Sequence, residues 1–124
     1  MLPEKFLQVL DHEGVVAIAT QGADGFPHLV NTWNSYVQVT KDGYLLVPAG
    51  GMHRTEKNIS KNRAVLLTAG SREVDGKHGL GTGFLISGAG EFLGSGTEFE
   101  TVKGKFPWAR AVLKLTIKDI TQTL

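Results

Sequence analysis

Apolar residues recur at helical spacing near the start of the chain and alternate with polar residues over much of the remainder. Residues 3–12 carry apolar side chains three and four positions apart, which predicts a first helix. Pro3 suits its first turn, where a backbone N–H is not needed. β-branched and apolar residues over 15–20 predict a buried strand. Alternation of polar and apolar side chains from 27 to about 40 predicts a long second strand.

The same patterns continue to the end of the chain. They predict four further strands and two further short helices, with the strands at 44–48, 63–69, 82–93 and 109–117 and the helices at about 53–62 and 97–105. Gly88 and Gly90 inside the fifth strand predict a bulge or a bend. A polar, glycine-rich loop is expected over 70–81, and a tail is expected over 118–124.

Six strands joined mostly by hairpins, with three small helices, are typical of an antiparallel barrel. A doubly wound parallel sheet is disfavoured because no regular crossover helices separate the strands. The chain has 124 residues, which is the size of one domain, so we expect a single, mainly β domain over 1–124.

Composition narrows the classes of function. Lys and Arg number 13 against 12 Asp and Glu, and this net charge of +1 gives no argument for a nucleic-acid or membrane partner. The chain has no cysteine, which excludes disulfides, thiolate catalysis and iron–sulfur clusters. No apolar run approaches the roughly 20 residues that span a bilayer. The first residues also lack the form of a signal peptide, so we expect a soluble cytoplasmic protein.

Several familiar cofactor and metal motifs are absent from the sequence. The segment Gly79–Phe84 is rich in glycine, but its sixth position is Phe and a strand follows it, which argues against a dinucleotide-binding loop. Gly50–Thr55 lacks the Gly-Lys-Ser/Thr of a phosphate-binding Walker loop. The four histidines show no pairing four positions apart, so no metal site is expected.

The block from Pro48 to Thr55 is a candidate anion site. Gly50 and Gly51 let the backbone approach a ligand closely, and the helix that follows offers free N–H groups and the positive end of its dipole. Arg54 adds a planar, charged donor group and Thr55 adds a hydroxyl, which together suit a phosphate. The alternative is a simple turn followed by a solvated Arg54.

The block Asn31–Tyr36 places polar side chains in the middle of a strand. Buried amides and hydroxyls each need a partner, or cost roughly 1–3 kcal/mol. A bound polar ligand would supply partners, and so would water on an open sheet face. Trp33 and Tyr36 are suited to stacking on a flat ring or to filling the core.

The order of these blocks resembles that of the pyridoxamine phosphate oxidase-like flavoproteins, which are FMN-binding split barrels. The resemblance rests on Asn31–Tyr36, on Pro48–Ile59 and on Arg63–Leu67, and it extends from Leu2 to the final Gln122-Thr123-Leu124. Within the family the chain looks very like the small FMN-binding members. The resemblance implies a six-stranded antiparallel split barrel with flanking helices, a homodimer, and one non-covalent FMN per subunit near the dimer interface.

The resemblance also implies a set of cofactor-binding residues. Thr32, Arg54 and Thr55 match the positions that hold the phosphate, with Asn31 close by, although many relatives have Lys where this chain has Arg54. The positions that line the ring and the ribityl chain match Trp33, Asn34, Pro48, Ala49, Gly50 and Gly51. Trp108 and Leu124 match two further positions that approach the flavin, and Leu124 would reach across from the partner subunit.

The side chains expected around the flavin indicate which kind of function to expect. Because no residue stands out as a general acid or base beside the flavin, the sequence favours an electron carrier without catalytic residues, working with a redox protein such as a cytochrome. One alternative is a flavin-dependent oxidoreductase, either a flavin reductase or an enzyme like pyridoxamine phosphate oxidase, in which His53, Arg54 or the loop around Lys77-His78 binds substrate. A second alternative is a module that stores or senses FMN.

Overall fold

The computed structural model describes residues 2–124. Over that range the chain forms seven strands, three α-helices and one short 3-10 turn. The helices are α1 (Glu4–Leu10), α2 (His53–Lys61) and α3 (Thr97–Lys105), and the 3-10 turn is Asn34–Tyr36. The strands are β1 (Val15–Gln21), β2 (Pro27–Trp33), β3 (Gln38–Val39), β4 (Leu45–Ala49), β5 (Ala64–Gly76), β6 (Gly79–Leu93) and β7 (Ala111–Gln122).

The seven strands make one sheet in the order β2-β1-β5-β6-β7-β4-β3, and every neighbouring pair is antiparallel. The two edge strands, β2 and β3, are consecutive in the chain and are joined only through the 3-10 turn and Val37. The mainly β, antiparallel fold with three helices is therefore confirmed. The expected six strands are corrected to seven in a sheet that does not close.

The single strand predicted over 27–40 is wrong at residues 34–37, because the chain turns inward at Asn34. This side chain is fully buried, and its Nδ2 group donates to three carbonyl oxygens, those of Val9 at 3.1 Å, His12 at 2.9 Å and Gly70 at 2.9 Å. The 3-10 turn places the amide among these acceptors, and the predicted strand is divided into β2 and β3.

The loop predicted over 70–81 and the tail predicted over 118–124 are both wrong. β5 and β6 pair almost to the hairpin tip, with Ser71 opposite Thr82 and Gly76 opposite Gly79. β7 pairs with β6 as far as Gln122. These segments are mostly polar because few of their side chains reach the core, Val74 and Ile120 being two that do, and backbone hydrogen bonds hold the rest of the ladder. The irregularity expected near Gly88 is confirmed as a register shift between β6 and β7.

Two apolar clusters support the sheet. The larger one lies on its inner face and includes Phe6 of α1 and Ile59 of α2. The second lies under α3 and joins Phe99, Phe106 and Val112, with Tyr36 packed against it. Between them these clusters fix α2, α3 and the 3-10 turn relative to the end of β4. Among residues 2–124 no helix has the length and apolar character to cross a bilayer.

Candidate functional site

The turn after β4 lies directly against Trp108. β4 ends at Ala49, whose carbonyl accepts a hydrogen bond from the backbone N–H of Arg110 at 2.9 Å. A Cβ atom at Gly50 would lie only 3.1 Å from Cε3 of Trp108, so glycine allows the indole to pack on the backbone here. Trp108 is still half exposed, which leaves ring surface open beside an exposed Gly51.

Tyr36 brings the first sequence block to the same place. Its ring centroid lies 5.5 Å from that of Trp108 and 5.2 Å from that of Phe106, and the Phe106 and Trp108 centroids are 5.7 Å apart. All three separations fall in the range of favourable aromatic contacts. The 3-10 turn after Trp33 therefore links the end of β2 to the turn after β4 through an aromatic cluster.

The N-terminus of α2 offers donors for an anion. Met52 precedes the helix with φ 61° and ψ 33°, a left-handed conformation, and no described side chain caps the helix. The first backbone N–H groups of a helix have no partner within it. The hydroxyl of Thr55 is buried and finds no hydrogen-bond partner within residues 2–124. A terminus with these open donors suits an anionic oxygen.

Arg54 extends from the same turn of α2 into solvent. Together with His28 and Lys57 it lines a cavity of about 340 Å³ between α2 and the hairpin that joins β1 to β2. Arg54 and Lys57 add positive charge next to the uncapped helix terminus, and Asp24 also lines the cavity. Arg54 is exposed.

The predicted residues of β2 divide between its two faces. Asn31 and Trp33 point outward and are exposed, and Asn31 Nδ2 donates to the carbonyl of Val16 at 3.4 Å. Thr32 points inward and is buried. Trp33 pairs with Val15 across the first ladder, so the exposed indole stands beside another exposed apolar side chain.

Three predicted residues are enclosed by the protein itself. Asn34 and Ala49 are fully buried, and Pro48 is buried beside them in β4. The amide N–H groups of Asn34 are used by carbonyls of the fold. The structure therefore does not bring these three side chains to the surface that carries Gly51 and Trp108.

Leu124 lies in another part of the chain, at the far end of β7. Its carbonyl accepts hydrogen bonds from Thr82 Oγ1 and Gln122 Nε2, both at 2.8 Å, and its side chain is exposed. It borders an open cavity of about 990 Å³, whose lining includes Glu13 but neither Gly50 nor Trp108. The Glu13 carboxylate accepts a hydrogen bond from Ser35 Oγ at 3.1 Å.

Sequence reasoning missed Arg110. Its Nε and Nη2 atoms donate to the Gly51 carbonyl at 3.1 and 2.6 Å, and its Nη1 atom lies 2.8 Å from Glu56 Oε1. This guanidinium thus connects the turn after β4 to α2. The only sequence signal is an arginine two positions after Trp108, and nothing in its spacing predicts contact with Gly51.

The histidines have separate surroundings. His12 Nδ1 lies 3.4 Å from Glu73 Oε2, whereas His28 belongs to the cavity beside Arg54. Over the part of the chain that the structure describes, no three His, Asp or Glu side chains come together in the way that metal coordination requires.

The sequence matches a known family over almost its whole length. Residues 2–124 match the family described as "Pyridoxamine 5'-phosphate oxidase". The chain is also 56% identical to the "FMN-binding protein" of Nitratidesulfovibrio vulgaris (strain DSM 19637 / Miyazaki F), and the alignment covers 100% of both chains.

Solved structures share the fold at much lower identity. HupZ from Group A Streptococcus superimposes with a TM-score of 0.79 at 17% identity, covering 98% of this chain and 94% of that one. An FMN-binding protein from Syntrophomonas wolfei gives a TM-score of 0.77 at 13% identity, covering 98% of this chain and 85% of that one. At these identities the likeness is one of fold.

Proposed function

Since the chain belongs to the pyridoxamine 5′-phosphate oxidase family, we propose that it binds FMN non-covalently, one per subunit. A relative that is 56% identical over its full length carries the name FMN-binding protein, which supports this assignment. The observation that carries it is the buried, unpaired Thr55 hydroxyl in the first turn of an uncapped helix. A phosphate oxygen would give that hydroxyl a partner and would meet the positive end of the helix dipole.

The residues present fit both ends of this cofactor. The phosphate would be held by the first N–H groups of α2 with Thr55 and Arg54, while Thr32 and Asn31 complete the group that the family resemblance indicates. The ring would lie at the turn of Gly50 and Gly51, which follows the buried Pro48 and Ala49 and where the half-exposed Trp108 offers an aromatic surface. Trp33 contributes a second exposed indole.

Replacing Arg54 tests the phosphate assignment. We expect R54A to weaken FMN binding by about 10- to 100-fold, because a hydrogen bond to a charged group contributes about 1.5–3 kcal/mol. Riboflavin lacks the phosphate, so its affinity should change little. The measurement is flavin fluorescence titration of the apoprotein with both ligands.

K61A is the matched control, because Lys61 is an exposed cation at the other end of the same helix. It should leave both affinities unchanged. Equal losses for FMN and riboflavin in R54A would show that Arg54 is not a phosphate ligand.

We further propose that the bound flavin serves as an electron carrier between proteins. When bound, FMN supplies reversible one- and two-electron transfer. Two of the charged groups beside the turn after β4, Arg110 and Glu56, are paired with each other, and exposed His53 and Arg54 follow at the start of α2. The exposed Trp108 keeps the corner apolar and open at the surface, as contact with a redox protein requires.

Stopped-flow mixing tests this role. The reduced flavoprotein should transfer electrons to a c-type cytochrome used as a probe much faster than it turns over NADH with a small acceptor. Rapid NADH turnover, with slow transfer to the cytochrome, would instead favour the second candidate, a flavin-dependent oxidoreductase. The cavity of about 990 Å³ beside Glu13 favours that candidate, because Arg72 and His78 line it and could hold an anionic substrate.

We also propose that two copies associate through the outer face of β2, β1, β5 and β6. Leu29 and Leu66 both lie opposite Ala19 in the ladders, so the three side chains form one row across three strands. Val15 and Trp33 form a second row on the same face. All of these except Ala19 are exposed apolar side chains of considerable size, and such a surface is typical of an interface. In this arrangement Leu124 would approach the cofactor of the partner subunit.

A further inference from the structure

Arg110 holds the segment from Ala49 to Glu56 at three points. Its backbone N–H donates to the Ala49 carbonyl at 2.9 Å. Its guanidinium donates twice to the Gly51 carbonyl, at 3.1 and 2.6 Å, and its third nitrogen lies 2.8 Å from the Glu56 carboxylate. The planar donor group of arginine makes these side-chain contacts in one fixed geometry, whereas the ammonium of lysine is a compact charge on a flexible stem.

The segment that Arg110 spans contains a backbone conformation that side chains rarely adopt. Met52 lies between Gly51 and α2 with φ 61°, a left-handed conformation that is unfavourable for a residue with a Cβ atom. Arg110 holds the peptide on one side of Met52 through the Gly51 carbonyl. On the other side it holds Glu56, whose backbone N–H donates to the Met52 carbonyl at 2.9 Å.

We propose that Arg110 is a positioning residue that fixes the ring side of the FMN site relative to its phosphate side. This inference rests on the proposed function. The turn at Gly50 and Gly51 would meet the ring, the N-terminus of α2 would meet the phosphate, and Arg110 joins the two. When both parts of a site are held on one frame, binding one end of a ligand raises the effective concentration of the other end.

Arg110 and Arg54 have different roles in the proposed site. Because Arg110 is paired with Glu56 at 2.8 Å, it holds the backbone of the site, whereas Arg54 would contact the phosphate. Arg110 would therefore affect how much more tightly the protein binds FMN than riboflavin, because only FMN contacts both sides at once.

The experiment measures the ratio of riboflavin to FMN dissociation constants for the apoprotein, by fluorescence titration at fixed salt. We expect R110M, which keeps an unbranched apolar side chain but removes the guanidinium donors, to lower this ratio about tenfold. R110K keeps the charge without the planar group and should lower the ratio as well. Far-UV circular dichroism and thermal unfolding establish that each variant is folded, and R110K serves the test if R110M does not fold.

R63M is the matched control. Arg63 also anchors a carbonyl through Nε, that of Gly90 at 3.1 Å, but at the junction of α2 and β5. Its loss should change stability without changing the ratio.

The double variant R110M/E56Q separates positioning from simple repulsion. Removing Arg110 alone leaves the Glu56 carboxylate unpaired near the phosphate side. A ratio that stays low in the double variant supports positioning, whereas a ratio restored to the wild-type value would show repulsion by Glu56 and overturn the inference.

The remaining outcomes are also decisive. An unchanged ratio in R110M and R110K, or equal losses for both ligands, would overturn the inference while leaving the proposed FMN site intact. A wild-type protein that binds neither flavin would remove the proposed function itself, and the inference with it.

Discussion

At Asn34, one polar side chain decides where a strand ends. Its Nδ2 group has two hydrogens and three carbonyl acceptors, which come from α1, from the turn after it and from β5. Its backbone N–H also donates to the Gly14 carbonyl at 2.9 Å. A single residue thus ties the first helix to the middle of the sheet.

Replacing Asn34 should destabilise the fold. N34A leaves buried carbonyl groups without a donor, so we expect a loss of about 2–4 kcal/mol in the free energy of unfolding. Urea denaturation followed by tryptophan fluorescence measures it. S35A is the control, because Ser35 is exposed and donates only to Glu13, and it should cost much less. A loss of under 1 kcal/mol in N34A would contradict the role assigned to this amide.

The sequence showed that the block Asn31–Tyr36 is polar, but it did not predict which groups its side chains would hydrogen-bond. Amides and hydroxyls in a strand need partners, and the pattern alone cannot distinguish a ligand from distant backbone carbonyls. The structure supplies carbonyls for the Nδ2 group of Asn34, and among residues 2–124 it leaves Asn34 Oδ1 and the Thr55 hydroxyl without a partner. The contact of Trp108 with Gly50 is likewise long-range, and only the resemblance to a family placed these residues in one site.

At the level of elements, periodicity located most of the helices and strands. The three helices were predicted within a few residues, because α1 carries apolar side chains at helical spacing and because glycines or proline mark where each begins or ends. The hairpin of β5 and β6 and the end of β7 were missed. Few side chains of these ladders reach the core, with Val74 and Ile120 as exceptions, so their sequence lacks the apolar alternation from which strands are recognised.

α3 is held to β7 by one ion pair. Lys114 Nζ lies 2.9 Å from Glu98 Oε1 and 4.2 Å from the centroid of the Tyr44 ring. The hydrogen bond to Glu98 raises the pKa of Lys114 above its ordinary value, and desolvation opposes that effect. The packing of α3 matters for the site because Phe106, in the aromatic cluster with Trp108, ends this helix.

The direction of this pKa shift predicts a pH dependence. Since the folded pKa of Lys114 lies above the ordinary value of 10.5, the ion pair stabilises the fold below about pH 10.5 and loses its effect as pH rises through the folded pKa. Stability measured by urea denaturation from pH 8 to 11 should therefore fall more steeply in the wild type than in E98Q. Parallel pH curves for the two proteins would contradict this account.

For the whole molecule, the open sheet leaves an apolar outer face next to a groove of about 840 Å³. Leu66 and Ala89 line the groove, together with residues of β7. Within one copy Leu124 borders a cavity that Trp108 does not line, so in the proposed dimer any contact of Leu124 with the ring side of the cofactor would be made across subunits.

A charge placed in the centre of this face should separate the two copies. L66E puts a carboxylate into the interface from each subunit, and because burying an unpaired charge is costly, we expect the dimer dissociation constant to rise by about a hundredfold or more. Sedimentation equilibrium measures this change, and L7E is the control because Leu7 is exposed on α1, away from the face. If the partner's C-terminus covers the cofactor, FMN in L66E should also become more exposed to solvent quenchers, while L7E keeps the protection of the wild type. A dimer that survives L66E unchanged would place the interface elsewhere, and unaltered quenching in a monomeric L66E would show that each subunit builds its cofactor site alone.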